Sequence, residues 1–297
     1  MPDAPSVPAE TAAVHRAPFG ERLGDAVAER GPLCVGVDPH PSLLAAWGLA
    51  DDADGLRRFS LTVVEAVAPV AAALKPQVAL YERHGSAGIA VLEELLAASA
   101  DAGLLTIADA KRGDIGSTMA AYADAWLREG SPLAADAVTL SPYLGFESLR
   151  PALDLAAETG RGAFVLALTS NPEGASVQHV GGGGPDGSVA RRIAEAAAAE
   201  NRRYAASAAG QGSVGLVVGA TVGDAVGRLG LDLAAMGGPI LAPGLGAQGA
   251  TAAVLRETFG AAYPQVLGTS SREILAGGPS AAGVRERAER TLAELAA

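Results

Sequence analysis

Three charged residues fall close together near the middle of the chain, directly after an apolar run. Asp109 and Lys111 are two residues apart, so on a strand both side chains point to the same side. Asp114 follows three residues later, where the chain is expected to leave the strand. Charges gathered at the end of a buried strand are costly unless they pair or take part in chemistry. The spacing therefore indicates a site for proton transfer or for electrostatic stabilisation.

The chain uses lysine sparingly. Of its 22 basic residues, 20 are arginine and only Lys75 and Lys111 are lysine, each after an apolar run. An ammonium can give up a proton near neutral pH when its surroundings lower its pKa, whereas a guanidinium effectively cannot. The two lysines therefore indicate chemistry that arginine cannot perform. The alternative interpretation is an ordinary buried ion pair, and it has more weight for Lys75 than for Lys111.

Eight short apolar runs alternate with helical patterns and must position these residues. Nearly all of these runs are continuously apolar, which is typical of parallel strands covered on both faces. Eight such units predict an α/β fold, a single (β/α)₈ TIM barrel. The alternative, an open doubly wound sheet, would want Gly-x-Gly-x-x-Gly after the first strand, where this chain has Asp-Pro-His-Pro. The predicted strands are 33–37, 70–74, 104–108, 137–140, 163–168, 214–218, 239–242 and 264–267.

Catalytic residues of such a barrel lie where strands end and loops begin. The polar residues at these positions are Asp38, Lys75, Asp109, Lys111, Asp114, Ser141, Ser170, Gln248 and Arg272. After the seventh strand, segment 243–249 reads Pro-Gly-Leu-Gly-Ala-Gln-Gly, which allows close backbone approach by an anion. Arg272 adds a guanidinium after the eighth strand. Each loop alone could be an ordinary tight turn, but together they predict a phosphorylated ligand.

The composition of the chain limits the kinds of protein that it could be. The chain has 297 residues, 49% of them hydrophobic, which suits one large domain at 19–297 after a disordered tail at 1–18. A net charge of -11 argues against nucleic acid and anionic membranes as partners. The single Cys34 excludes an internal disulfide, and the four histidines lack metal-ligand spacing. Without a signal peptide or an apolar span, a soluble cytoplasmic protein is expected.

The charged segment carries a family resemblance. Asp109-Ala-Lys111-Arg-Gly-Asp114-Ile resembles the Asp-x-Lys-x-x-Asp signature of the orotidine 5′-phosphate decarboxylase family. The resemblance covers residues 19–295 and is greatest to the longer bacterial branch of the family. The other matching elements keep the family's order along the chain: Asp38, Lys75, Ser141-Pro-Tyr-Leu-Gly, Thr169-Ser170-Asn-Pro-Glu-Gly, Pro243-Gly-Leu-Gly-Ala-Gln248-Gly and Ser271-Arg272.

The resemblance implies decarboxylation of orotidine 5′-monophosphate to uridine 5′-monophosphate and CO₂, a step of pyrimidine synthesis, without metal or cofactor. It implies that Lys111 donates a proton to pyrimidine C6, with Asp109 beside the departing carboxylate. It also implies a homodimer in which Asp114 and Thr118 reach into the neighbour's site. The remaining roles that it implies are Lys75 and Asp114 in the charge network, Asp38 and Lys75 on the ribose, Ser170 on the pyrimidine edge, and Gln248 and Arg272 on the phosphate.

Segment 173–187, with four consecutive glycines, is predicted to be the longest irregular loop, and we interpret it as a lid. Three other functions are open at this stage. The first is a related barrel enzyme that uses the same motif with Mg²⁺ on sugar phosphates. The second is an aldolase that forms a Schiff base through Lys111. The third is a catalytically silent protein that binds a phosphorylated ligand.

Overall fold

The chain folds into a closed barrel of eight parallel strands, each hydrogen-bonded to the next in chain order and β8 to β1. The computed structural model describes residues 16–184, 187–204, 211–246 and 249–296. The predicted (β/α)₈ barrel is confirmed. The strands are β1 (Leu33–Val37), β2 (Ala73–Pro76), β3 (Leu105–Arg112), β4 (Ala137–Leu140), β5 (Gly162–Leu168), β6 (Val214–Val218), β7 (Ile240–Pro243) and β8 (Val266–Ser270).

Helices surround the strands and bury apolar faces against them. No helix in the described ranges combines the length and apolar character needed to span a membrane. The helices are α1 (Phe19–Arg30), α2 (Pro41–Ala46), α3 (Ala53–Val67), α4 (Ala79–Glu82), α5 (Gly85–Asp101), α6 (Gly116–Leu127), α7 (Arg150–Glu158), α8 (Ala175–Gln178), α9 (Val189–Tyr204), α10 (Ala225–Arg228), α11 (Ala252–Phe259), α12 (Arg272–Leu275) and α13 (Ala281–Ala296).

The amino-terminal end of the barrel, which we call the base, is closed by α1. Phe19 packs edge-on against Phe164 of β5, with ring centroids 5.9 Å apart and planes at 85°. A Cβ atom on Gly162 would lie 2.3 Å from the Phe19 ring, so only glycine leaves room for it. Small apolar side chains such as Ala73 and Ile107 fill the interior above the two rings. With few aromatic residues available, this one pair seals the base.

A charged cluster at the base ties α1 to the strands. We call Arg16, Arg22, Thr106 and Asp136 the base cluster. Asp136 Oδ1 accepts a hydrogen bond from Arg22 Nη1 at 2.5 Å and lies 3.5 Å from Arg16 Nη1. Its other oxygen accepts from the Thr106 N–H at 2.9 Å. Arg16, assigned above to the tail, therefore lies against the barrel, whereas residues 1–15 fall outside the described residues.

Several predicted elements differ from the structure, among them the second strand, predicted over 70–74, which is Ala73–Pro76 and so contains Lys75. The third strand does not end at residue 108 but continues to Arg112, with a register shift against β4. The helix predicted over 223–235 is only the single turn of α10, which ends just before Gly230, where the backbone has φ of 68°. Segment 173–187 is not wholly irregular, since a 3₁₀ turn (Pro172–Gly174) runs into α8. Residues 185 and 186 of this segment lie outside the described residues.

Candidate active site

A cavity of about 310 Å³ opens at the carboxyl end of the barrel, which we call the mouth. Its walls combine charged side chains from the first three strands with the glycine-rich loop after β7 and the segment after β8. This is the end at which barrel enzymes bind their substrates. The polar side chains that line it belong to Asp38, His40, Lys75, Gln77, Asp109, Lys111, Thr169, Thr269, Ser271 and Arg272.

Asp109 lies at the centre of a hydrogen-bonded group that we call the mouth cluster (Lys75, Gln77, Asp109, Lys111 and Thr139). Its Oδ1 accepts from Lys111 Nζ at 2.6 Å and from Thr139 Oγ1 at 3.0 Å. Its Oδ2 accepts from Lys75 Nζ at 2.9 Å and from Gln77 Nε2 at 3.0 Å. Both lysines of the chain therefore contact one carboxylate, and the predicted same-side placement of Asp109 and Lys111 is observed.

Burial and neighbouring charges shift the pKa values of Lys75 and Asp109 in opposite directions. Burial alone would lower the pKa of Lys75, but the negative charges of Asp109 and Asp38 outweigh it, and the pKa of Lys75 is raised. Burial would likewise raise the pKa of Asp109, but the Lys75 and Lys111 ammonium groups hold it well below its usual range. Asp109 and Lys75 are consequently both charged at neutral pH.

Lys111 differs from Lys75 in exposure and in backbone shape. The Lys111 side chain is 46% exposed, against 7% for Lys75. Its backbone has φ of 49°, in the left-handed region that non-glycine residues rarely adopt. The Lys111 N–H donates to Thr139 Oγ1 at 2.9 Å, which holds this conformation at the register shift between β3 and β4. Strain of this kind costs on the order of 1–3 kcal/mol and is concentrated at functional sites.

The two loops predicted to bind phosphate meet at the mouth. Arg272 is exposed, begins α12 and lines the cavity together with Gly244 of the loop after β7. Gly246 of the same loop has φ of 78°, and a Cβ atom there would lie 3.0 Å from Glu273 Cβ. Glycine thus lets this backbone pass close to the segment after β8. Gln248, predicted to bind the phosphate, lies outside the described residues.

Three predicted site residues do not line the cavity within one chain. Asp114 is half-buried and accepts a hydrogen bond from the Ile115 N–H at 2.8 Å, away from Asp109. Thr118 is exposed in the first turn of α6, and Ser170 is exposed directly after β5. The structure therefore brings Asp38, Lys75, Asp109, Lys111 and Arg272 together, and leaves these three at the rim or outside.

Sequence reasoning missed two members of the mouth cluster. Gln77 follows Lys75 by two residues, and that spacing on an extended chain could have placed both side chains on one side. Thr139 is the one polar residue of β4, which reads Ala-Val-Thr-Leu. Its contact with Asp109 depends on the register between β3 and β4, and the sequence does not specify that register.

The single cysteine lies inside the barrel on β1. Cys34 is fully buried, and burial raises the pKa of its thiol to about 12. A thiol that stays protonated is neither a nucleophile nor a metal ligand. Within the part of the chain that the structure describes, no group of three or more His, Cys, Asp or Glu side chains is arranged to hold a metal ion.

Comparison with known proteins agrees with the motif. The family model "Orotidine 5′-phosphate decarboxylase / HUMPS family" matches residues 31–284. The chain is 57% identical to an orotidine 5′-phosphate decarboxylase from Salinispora arenicola, over 93% of this chain and 96% of the relative. It is 56% identical to one from Streptomyces coelicolor, over 94% and 97% respectively.

A solved structure also matches along almost the whole chain. The crystal structure of a Streptomyces avermitilis protein assigned as an orotidine 5′-phosphate decarboxylase superposes with a TM-score of 0.89 at 54% identity. The match covers 97% of this chain and 98% of the other. These matches confirm the family predicted from the Asp-x-Lys-x-x-Asp motif. The chain belongs to the orotidine 5′-phosphate decarboxylase / HUMPS family.

Proposed function

We propose that the protein decarboxylates orotidine 5′-monophosphate to uridine 5′-monophosphate and CO₂. The observation that carries this proposal is the mouth cluster, in which one buried carboxylate holds two ammonium groups at the mouth of the barrel. The relatives at 56–57% identity are orotidine 5′-phosphate decarboxylases and support the same reaction. We place this step of pyrimidine synthesis in the cytoplasm, in keeping with the enzyme class of these relatives.

In the proposed reaction the bond between C6 and the substrate carboxylate breaks, and its electron pair stays on C6 as CO₂ leaves. The Lys111 ammonium stabilises this charge and then donates a proton from Nζ to C6, and water reprotonates the amine. Asp109 lies beside the departing carboxylate and disfavours its charge. Lys75 and Thr139 both donate hydrogen bonds to Asp109 and fix its carboxylate. The Lys111 ammonium, which also contacts this carboxylate, is therefore held in position before the substrate binds.

The rest of the cavity suits a nucleotide. We place the ribose against Asp38 and Lys75, which line one wall, and the phosphate against Arg272 and the loop that contains Gln248. Ser170 would contact the pyrimidine edge. Phosphate binding far from C6 supplies energy that orients the ring for the chemical step. Neither a metal ion nor a cofactor takes part in this scheme.

A homodimer would complete the site. Asp114 and Thr118 do not line the cavity of their own chain, which suits residues that serve a neighbour. Exposed apolar side chains lie nearby: Ile115 is 62% exposed and Tyr143 is 78% exposed. The loops that carry them are joined, because the Ser141 N–H donates to the Arg112 carbonyl at 2.7 Å. We therefore propose that this apolar surface packs on a second copy of the chain.

Mixing two inactive variants tests the shared site. Lys111→Ala and Asp114→Ala each disable every site in their own dimers. In randomly mixed dimers, one site of each hybrid regains both native residues, and about a quarter of wild-type activity should return. If the mixture stays inactive although light scattering shows dimers, Asp114 does not act across the interface.

Segment 173–187 is proposed to close over the bound nucleotide. In the structure it is held at its start, where Gln178 Nε2 donates to Thr169 Oγ1 at 2.8 Å. Thr169 lines the cavity, so this contact connects the segment with the site. Limited proteolysis with and without uridine 5′-monophosphate tests the idea. Equal cleavage rates within this segment would rule it out.

The central experiment follows orotidine 5′-monophosphate by its absorbance with wild type and Lys111→Ala in EDTA. We expect rapid loss of substrate with wild type and a rate at least about 10⁴-fold lower with Lys111→Ala. Activity that requires added Mg²⁺ would instead favour the sugar-phosphate enzyme, and borohydride trapping at Lys111 would favour the aldolase. Nucleotide binding without turnover would favour the silent binding protein.

A further inference from the structure

Two buried oxygen atoms at the mouth have no hydrogen-bond partner. They are Asp38 Oδ1, just after β1, and Ser271 Oγ, just after β8. A buried polar atom left unpaired costs roughly 1–3 kcal/mol. Ser271 occupies the N-cap position of α12, yet its hydroxyl makes no capping bond to the helix. Its donor is therefore free for another acceptor.

The fold places these two oxygens next to each other. Strand pairing puts Ser270 opposite Val35, so Ser271 comes beside Gly36, two residues before Asp38. From the position that a Cβ atom on Gly36 would take, Ser271 Oγ lies 3.2 Å away and Asp38 Oδ1 lies 3.4 Å away. The same Cβ atom would approach Ser271 Cβ to 2.8 Å. Because residue 36 is glycine, no side chain separates the hydroxyl from the carboxylate.

The two groups are chemically complementary. A serine hydroxyl has one donor, and an ionised carboxylate only accepts. Both residues line the mouth cavity, together with Lys75 and Arg272. A hydrogen bond from the Ser271 hydroxyl to Asp38 Oδ1 would satisfy both buried atoms at once. It would also fix the carboxylate plane and leave Asp38 Oδ2 directed at the ligand.

We propose that Ser271 is a positioning residue, whose hydroxyl donates to Asp38 Oδ1 and aims Oδ2 at a sugar hydroxyl of the bound nucleotide. The inference rests on the proposed function, in which Asp38 holds the ribose. Ser271 acts on binding and not on the chemical step, since C6 is served by Lys111. Loss of the hydroxyl should therefore raise KM and leave kcat nearly unchanged.

A double-mutant cycle tests this on the full-length enzyme. With orotidine 5′-monophosphate, Ser271→Ala should raise KM about tenfold and change kcat by less than about twofold. In the Asp38→Asn background the same change should add less than about a twofold effect, because the aimed carboxylate is already lost. An equal effect of Ser271→Ala in both backgrounds, or no effect in either, would overturn the proposal.

Two controls separate this role from others. The Ser270 hydroxyl oxygen is also buried and unpaired, but Ser270 lines a different cavity with Arg287, so Ser270→Ala should leave KM unchanged. Inhibition by inorganic phosphate should not change in Ser271→Ala; a tenfold loss would assign Ser271 to the phosphate subsite and overturn the proposal.

If wild type fails to convert the substrate, the proposed function itself fails. If wild type is active and the cycle shows no coupling, only the role of Ser271 fails.

Discussion

The barrel contains two clusters built on the same plan at opposite ends. In the mouth cluster Asp109 contacts Lys75 and Lys111 at 2.9 and 2.6 Å. In the base cluster Asp136 contacts Arg22 and Arg16 at 2.5 and 3.5 Å. Each carboxylate thus holds two cations, but the base uses arginine and the mouth uses the only two lysines of the chain. The difference indicates that arginine serves structure here and lysine serves chemistry.

Geometry supports this division. Each of the three nitrogens of the Arg22 guanidinium donates a hydrogen bond: Nε to the Ala17 carbonyl, Nη1 to Asp136 and Nη2 to the Gly160 carbonyl. This arrangement holds α1 in place and directs the whole guanidinium at the protein. Lys111, in contrast, has a single charged atom at the end of a half-exposed side chain in a left-handed backbone conformation. It can turn a donor toward a substrate.

The largest expected difference concerns the two carboxylates. Asp109→Asn should lower kcat/KM at least about 10³-fold, because two ammonium groups lose their shared partner. Its free energy of unfolding should fall by about 3 kcal/mol, since the buried Lys75 ammonium then loses the carboxylate that it contacts and keeps only the charge of Asp38 nearby. The matched change Asp136→Asn should lower stability by about 1 kcal/mol and leave kcat unchanged. Urea unfolding and steady-state kinetics on both variants measure this.

Exchanging the cations is the next test. Lys75→Arg should lower kcat/KM about 10²-fold, because a planar guanidinium cannot take the place of a compact ammonium between Asp38 and Asp109. Arg22→Lys should lower the free energy of unfolding by about 1 kcal/mol and leave kcat and KM unchanged. The single nitrogen of a lysine side chain cannot reach the three acceptors that the three guanidinium nitrogens contact. Activity that survived the first exchange would contradict the division between lysine and arginine.

A smaller effect depends on pH. The pKa of Asp109 is lowered on folding, so its ionised form stabilises the protein above the ordinary carboxyl pKa, and this contribution is lost as the pH falls. The stability advantage of wild type over Asp109→Asn should be constant from about pH 5 to 8 and shrink below about pH 4. Denaturation midpoints measured across this range give the result. A stability advantage of wild type that grew as the pH fell would contradict the lowered pKa of Asp109.

The smallest expected effect concerns the backbone of Lys111. Glycine adopts positive φ without the steric cost that a Cβ atom brings. Lys111→Gly should therefore be more stable than Lys111→Ala by about 1 kcal/mol, although both lack the proposed proton donor. Thermal unfolding of the two variants measures the difference. Equal stability would mean that the left-handed conformation stores no strain.

Much of the architecture could be predicted from the chain because nearly every strand contains a continuous apolar run. The placement of Asp109 beside Lys111 also followed from local spacing. Gln77 and Thr139 were missed because they meet Asp109 from neighbouring strands, and strand register is a property of the closed barrel. The helix expected over 223–235 ends after one turn because Gly230 adopts positive φ, and the apolar pattern beyond it does not restore the helix. The roles of Asp114 and Thr118 depend on a second chain and stay predictions.

The burial of Cys34 gives the protein an internal reporter. Its thiol is enclosed by the barrel wall and has a pKa of about 12, so thiol reagents react with it only when the strands separate. Because the chain has no second cysteine, the labelling rate follows a single event. That rate measures how often the barrel opens under native conditions. The labelling rate of Cys34 therefore reports barrel opening in the wild-type chain. Variants at the mouth and at the base can be compared by this rate without an introduced probe.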